Sequence, residues 1–337
     1  MIATRQLLLG FTVALGLLAP SRSDPVIPAM VSRRAIASST TREHEPIKAI
    51  PQITGLDPEK IALGKTLFGE PRLSHDDTIS CASCHDFQKG GADGRVHSLG
   101  MNQAEGTINT PSVFNCGLNF KQFWDGRAAT LEEQVNGPLE AANEMASSWP
   151  EVIRKLRAAP DYVAAFARVY ADGIEPRNIK NAIAEYERSL TTPNSRFDQF
   201  LRGDDAALSA EEAEGYRKFK SYGCTSCHQG VNAGGNMFET LGAMADYFAD
   251  RGHVTKADYG RFNVTGREED RFVFKVPSLR NVALTAPYFH DGSAKTLEDA
   301  VRVMGKYQLG HTLTPVDIDQ IVKFLHTLTG EYGGQPL

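Results

Sequence analysis

Several things are scarce in this 337-residue sequence, and each scarcity narrows what it can be. Five cysteines are too few to staple a chain of this length, which excludes a disulfide scaffold. Basic charge is not in excess: 36 Lys and Arg face 41 Asp and Glu, a formal charge of −5, so the chain lacks the overall basic character that gathers nucleic acid. Beyond residue 19 no stretch is long and apolar enough to span a bilayer. Runs with the two-residue alternation of strands are also missing. What remains is ordinary globular composition, 41% hydrophobic and 23% charged, over a length that suggests two domains, each with its own core.

The first 23 residues read as an export signal. Arg5 precedes an apolar run from Leu7 to Ala19, followed by Pro20 and the small residues Ser21 and Ser23. As a helix that run rises only about 20 Å against a hydrocarbon core of roughly 30 Å, which favours cleavage over anchoring and places the mature chain in the periplasm. Residues 24–50 read as a linker or a loosely docked arm.

The rest is mainly α with long, glycine-rich loops. Helices are expected over Pro58–Phe68, about 149–170 and 176–191. Ser209 and Glu212 form a capping box for a helix to about Ser221. Thr314 and Pro315 open a last helix, whose stripe Ile318, Ile321, Val322, Leu325 and Leu328 ends at Gly330.

Residues 111–135 fall without a gap on residues 277–301 at an offset of 166, with 12 of 25 positions identical. The reading is an internal duplication: an N-terminal module over 51–205 and a C-terminal module over 206–337, each a small haem domain. Each aligned block follows a C-x-x-C-H run, Cys81-Ala-Ser-Cys84-His85 and Cys224-Thr-Ser-Cys227-His228. This is the spacing of c-type haem attachment, in which two thiols form thioethers and the adjoining His ligates iron. A zinc site would need four closed N/S ligands, and a redox dithiol would not need the His. The fifth cysteine, Cys116, faces Val282 in the alignment and reads as a small buried hydrophobe.

The two irons are not expected to be equivalent. The second copy carries Met304, a thioether suited to be the axial partner of His228, while the same offset puts Pro138, which has no donor atom, in the first copy. Gln134 aligns with Ala300, and Glu144 lies six residues past Pro138. An open haem beside a carboxylate and an amide suits peroxide: Glu144 shuttles a proton between the two oxygens, and Gln134 orients the substrate.

The segments CASCH, TPSVFN, QFWDGRAATLEEQ, GPLEAANEM, CTSCH, VPSLRNVALTAPYFHDG and VMGKYQLG together resemble the bacterial di-haem cytochrome c peroxidase family, which includes MauG-type enzymes, over about residues 55–330. The resemblance implies two cytochrome c-like domains, a peroxidatic N-terminal haem and a high-potential C-terminal haem that receives electrons from a small periplasmic cytochrome c or cupredoxin. It further implies that Gln134 and Glu144 are the distal pair, Pro138 the pocket proline, Met304 the axial methionine and Trp124 the tryptophan between the haems. A Ca²⁺ ion between the domains is implied too, held by Asn109 and the carbonyls of Thr285 and Pro287, and members are often homodimers.

One departure stands out. The family's usual blocking His is Met101 here, in His97-Ser-Leu-Gly-Met101. Met101 could ligate weakly, His97 could swing in, or the iron could be open from the start; the expectation is an open or weakly blocked iron. H₂O₂ reduction to water is the leading function. The alternatives are a MauG-type oxidase that modifies a partner protein, against which Met304 argues because MauG carries Tyr there, and a non-catalytic electron carrier, against which Pro138, Gln134 and Glu144 argue.

Overall fold

The computed structural model describes residues 42–337. The expected signal segment and residues 24–41 of the expected linker lie outside the described residues.

Two helix pairs carry the architecture. In the first, α1 (Pro58–Phe68) starts at Asp57, whose carboxylate accepts the Glu59 and Lys60 amides, and packs on α2 (Pro176–Ser189). The second pairs α3 (Ala210–Ser221) with α4 (Pro315–His326), each opened by a capping box, Ser209 with Glu212 and Thr314 with Asp317. Both crossings bring backbone against backbone. A methyl group on Gly64 would overlap the Ala182 carbonyl, and one on Gly215 would overlap that of Gln320, so only hydrogen fits at either position.

Around each pair sits a separate apolar cluster. Leu67, Val152, Leu156, Phe166, Ile179 and Ile183 belong to one; Phe197, Tyr216, Phe219, Ile321, Phe324 and Leu328 belong to the other. The chain crosses between them at both ends. Ile47, wholly buried, joins the second cluster, whereas Tyr332 and Leu337 pack against the first, Tyr332 with its ring 5.4 Å from Phe87 and 5.2 Å from Phe114.

Some local expectations need correction. From residue 42 on, the supposed loose arm is firmly docked: Lys48 and Gly230 pair with it through Lys48 N–H to Gly230 O (3.1 Å) and Gly230 N–H to Pro46 O (2.9 Å). Buried Arg280 secures it further, donating to the Lys48 carbonyl at 2.7 Å while paired with Asp198 at 2.8 Å. The helix expected over 149–170 is two, Trp149–Arg157 and Pro160–Val169, because Pro160 forces Ala159 into extended backbone. The last helix closes at His326 rather than Gly330, although Leu328 stays buried. Sheet is present as two antiparallel ribbons among the described residues: β1 (Phe238–Thr240) with β2 (Val273–Lys275), and β3 (Glu331–Tyr332) with β4 (Gln335–Pro336). The three residues of β2 are all buried, so no alternation marks them.

Positions 166 residues apart share backbone geometry. Asn115 and Asn281 both stand at φ 60°, Phe123 and Phe289 at 68° and 71°, Gly126 and Gly292 at 67° and 63°. Thr130 caps the helix Leu131–Gln134 as Thr296 caps Leu297–Val303. Two bonds link the halves reciprocally: the Asn109 amide donates to the His290 carbonyl and the Lys275 amide to the Trp124 carbonyl, each at 2.7 Å.

Replacing Gly64 with Ala should cost about 1–3 kcal/mol, since α1 and α2 must separate to admit the methyl. Urea denaturation of the full-length protein measures it. An unchanged midpoint would mean the helices are not in backbone contact.

Candidate active site

Each C-x-x-C-H run folds into one tight turn. Cys81–Cys84 is a single helical turn with Ser80 and Ser83 at its start, and Cys224–Ser226 is a 3₁₀ turn. In both, the His amide bonds back to the first cysteine's carbonyl at 3.0 Å, so the two thiols and the imidazole sit on one short loop. Each imidazole is tied through Nδ1, His85 to the Gly91 carbonyl at 3.0 Å and His228 to that of Ala233 at 3.3 Å. A carbonyl only accepts, so Nδ1 carries the proton and the Nε2 lone pair is left for a metal. Burial favours the neutral rings, lowering His85 and pushing His228 down to about 4. Phe68 at the end of α1 and Phe219 on α3 lie beside the rings, at 6.2 Å and 6.4 Å. Burial also pushes the Cys81 and Cys224 thiols up to about 12. A haem c fits this donor set twice.

Each run lines a cavity, and the cavities differ. The larger, about 1450 Å³, holds Cys81, Cys84 and His85 together with Gln134, Pro138 and Glu144. The smaller, about 470 Å³, holds Cys224, Cys227 and His228 together with Met304. Trp124, Phe274 and Lys275 line both.

The larger cavity's wall is built on stacked groups. The Arg127 guanidinium lies 3.4 Å from the centre of the Phe123 ring, which fills the space a side chain on Gly137 would need, beside Pro138. Trp149 Nε1 donates to Asn136 Oδ1 at 3.0 Å and fixes the helix Asn136–Glu140. Glu144 is held by its backbone: its amide donates to Ala141 O (3.0 Å) and its carbonyl accepts from Met101 N (2.8 Å). The side chain is solvent-accessible and lines the cavity, yet the protein crowding it pushes the carboxyl up, with Arg127 opposing. The segment before Met101 brings His97, Ser98 and Gly100 to the wall; Met101 itself is not among the lining residues, and His97 Nδ1 is 3.1 Å from Glu105.

In the smaller cavity Met304 stands where the helix Leu297–Val303 widens into a π-helical turn, Met304–Gln308. Asn109, Thr285 and Pro287 line this cavity as well. The Asn109 amide group donates to the carbonyls of Arg95 (2.8 Å) and Val96 (3.3 Å), which turns its Oδ1 away from them. That leaves an oxygen donor for a hard cation. Trp124 Nε1 donates to the Asn109 carbonyl at 2.9 Å. Cys116 is buried in the first cluster, and its thiol is pushed well up by burial.

Sequence reasoning overlooked three groups. Lys275 is only 7% exposed, and burial pushes its ammonium down to about 8. A single lysine inside the apolar run Phe272–Pro277 was the available signal. Glu187, on the larger cavity's wall, is pushed up to about 8 by burial, with Oε2 unpartnered. Asp258, His290 and Asp291 cluster closely, and Arg251 is bonded to both carboxylates and offsets one of their two charges.

The family model described as "Di-haem cytochrome c peroxidase" matches residues 58–206. Cytochrome c peroxidase Ccp of Escherichia coli K12 is 50% identical over 299 residues, 88% of this chain; the chain spans 64% of that longer relative. Cytochrome c551 peroxidase of Nitrosomonas europaea is 44% identical over 86% of this chain and 85% of its own length. Among solved structures, a MauG-like protein associated with microbial copper homeostasis superposes with a TM-score of 0.73 at 30% identity, covering 86% of this chain and 94% of the other. With paired thiols and an Nδ1-anchored His on the wall of each cavity, the chain belongs to the di-haem cytochrome c peroxidase family and is an oxidoreductase of the peroxidase type.

Proposed function

We propose that the protein is a periplasmic di-haem peroxidase that reduces H₂O₂ to water with electrons from a small cytochrome c or cupredoxin, received at the His228 haem and used at the His85 haem. The observation that carries this reading is an inequality at equivalent positions of the two cavities: Pro138, without a donor atom, lines the one with His85 where the thioether Met304 lines the one with His228, and Gln134 stands where the other has Ala300. Two haem c groups would be held through thioethers at Cys81 and Cys84, and at Cys224 and Cys227, with His85 and His228 offered to the irons. Bound haem supplies the redox chemistry, H₂O₂ + 2e⁻ + 2H⁺ → 2H₂O.

The chain's own residues do the rest. Glu144 accepts the proton of the near oxygen and returns it to the departing one; its crowded carboxyl binds a proton more readily than a free one, which suits the shuttle. Gln134 presents an amide to orient the peroxide, and Pro138 places no donor where Met304 stands in the other half. Met304, on the wall of the cavity with His228, would offer its thioether to the second iron and so raise its potential. Trp124 lies on the wall shared by both cavities, in the path between them. Met101 stands where the family's blocking His is expected, so the first iron would be open or weakly blocked at rest.

The two halves are duplicated haem modules, a reading supported by the shared turn geometry at the 166-residue offset and by the reciprocal bonds between the halves. No helix among the described residues is long and apolar enough to cross a membrane. Asn109 Oδ1 and the carbonyls of Thr285 and Pro287 would hold Ca²⁺, a reading supported by their place on one cavity wall and by the Asn109 amide group turning its nitrogen to the Arg95 carbonyl.

Glu144→Gln should reduce peroxide turnover by about 10²–10⁴-fold while both haems remain bound. Stopped-flow mixing of the holo-protein with peroxide measures it, and near-normal turnover removes Glu144 from the mechanism. Met304→Ala should convert the second haem from low-spin to an exchangeable, open iron and slow electron delivery; an unchanged low-spin spectrum would show that another group ligates there. Chelation of Ca²⁺ with EGTA should lower turnover and its re-addition restore it, and indifference to both treatments would discard the calcium site.

A further inference from the structure

Lys275 ends β2 in a position that little else in the structure explains. Its side chain is 93% buried by accessible area, given an exposure of 7%, and it lines both cavities. The backbone amide is engaged by the Trp124 carbonyl, but among the described residues no carboxylate pairs with the ammonium. Other cations on the larger cavity's wall differ. Arg251 is bonded to Asp258 and Asp291, Arg127 is paired with Asp125 at 3.0 Å, and Lys256 is exposed. The one ionisable neighbour acting on Lys275 is the Cys116 thiol, which burial keeps protonated and uncharged.

A buried ammonium without an anion is costly, and such groups are found paired or neutral. The position of this one indicates where its anion belongs. Each haem brings two propionate carboxylates, and nothing else required by the site carries negative charge into the space the two cavities share.

We infer that Lys275 is the counter-ion of haem propionate carboxylates where the two cavities meet, and that its charge tunes the haem reduction potentials. The inference rests on the two-haem reading above and adds to it an electrostatic group on the wall that also holds Trp124. Reduction adds one electron to each iron without a compensating charge, so a nearby cation favours the reduced state. Its removal leaves the propionates unbalanced and makes reduction harder. In the aligned first half the equivalent position is Asn109, a neutral residue, so the two halves contribute one cation between them.

The test is a spectroelectrochemical titration of the haem-loaded wild type, Lys275→Met, Lys275→Gln and Lys275→Arg, with haem content counted as the pyridine haemochrome. Loss of the charge should lower the equilibrium constant for reduction of at least one haem by about tenfold, a fall of about 59 mV, while Lys275→Arg stays within about twofold of wild type. Loss of haem from the Met and Gln variants with full loading of the Arg variant would be a stronger form of the same result. Full loading with unshifted potentials in both uncharged variants overturns the inference and leaves the two-haem reading intact. Fewer than two haems in the wild type overturns both, and the haem count alone distinguishes that failure from the first.

Discussion

The arrangement depends on a reciprocal pair of hydrogen bonds at the seam. Asn109 N–H reaches the carbonyl of His290, and Lys275 N–H reaches that of Trp124, both at 2.7 Å. Four residues at equivalent positions of the two halves are thereby fixed against one another, and two of them, Trp124 and Lys275, become walls of both cavities. Behind them Thr192, 1% exposed, accepts the side-chain amides of Asn115 at 2.7 Å and Asn281 at 2.9 Å on one hydroxyl. Buried backbone and amide groups must be paired, so these bonds leave the halves little freedom to slide. The seam thereby fixes the two cavities against one another without a flexible linker.

How much of this was legible in the sequence follows from the physics of each signal. Helices with local start signals were read well: Pro58, Ser209 with Glu212, and Thr314 with Pro315 act within one turn, and the structure starts a helix at each, capped by Asp57, Ser209 and Thr314. The haem runs were legible because attachment needs thiols and imidazole at a fixed short spacing. What escaped notice depends on distant partners. Ile47 looks like any apolar residue in a polar stretch until its bridge partner, Gly230, is known. The buried pair of Arg280 and Asp198 joins residues far apart in sequence, and neither carries a local mark of burial. Pro160 was a local signal that was passed over in favour of the apolar period running through it.

The candidate site divides in the same way. Gln134, Pro138 and Glu144 were singled out by comparing the halves, and the structure brings all three to one cavity, with Met304 in the other. Met101 was singled out by its place in a motif, and the backbone instead turns His97 toward the wall. A comparison at fixed offset inherits three-dimensional equivalence from the fold, whereas a motif position inherits only its neighbours. Lys275 was missed because a lone lysine in an apolar strand is anomalous only once the strand is known to be buried on all sides.

Some positions are identical between the halves where the backbone constrains them, and others differ where it does not. Asn115 with Asn281, Phe123 with Phe289 and Gly126 with Gly292 all stand at positive φ, where most side chains are strained and a change would deform the turn. Asn109 with Lys275, Trp124 with His290, Gln134 with Ala300 and Pro138 with Met304 differ, and each pair has at least one member on a cavity wall. Facing a cavity does not by itself allow divergence, since Phe123 and Phe289 line the cavities too and are held by positive φ, whereas none of these four differing pairs stands at positive φ. Two similar sets of turns can therefore present unequal chemistry: the constrained turn residues hold a shared geometry, and the wall residues that differ decide what each cavity offers.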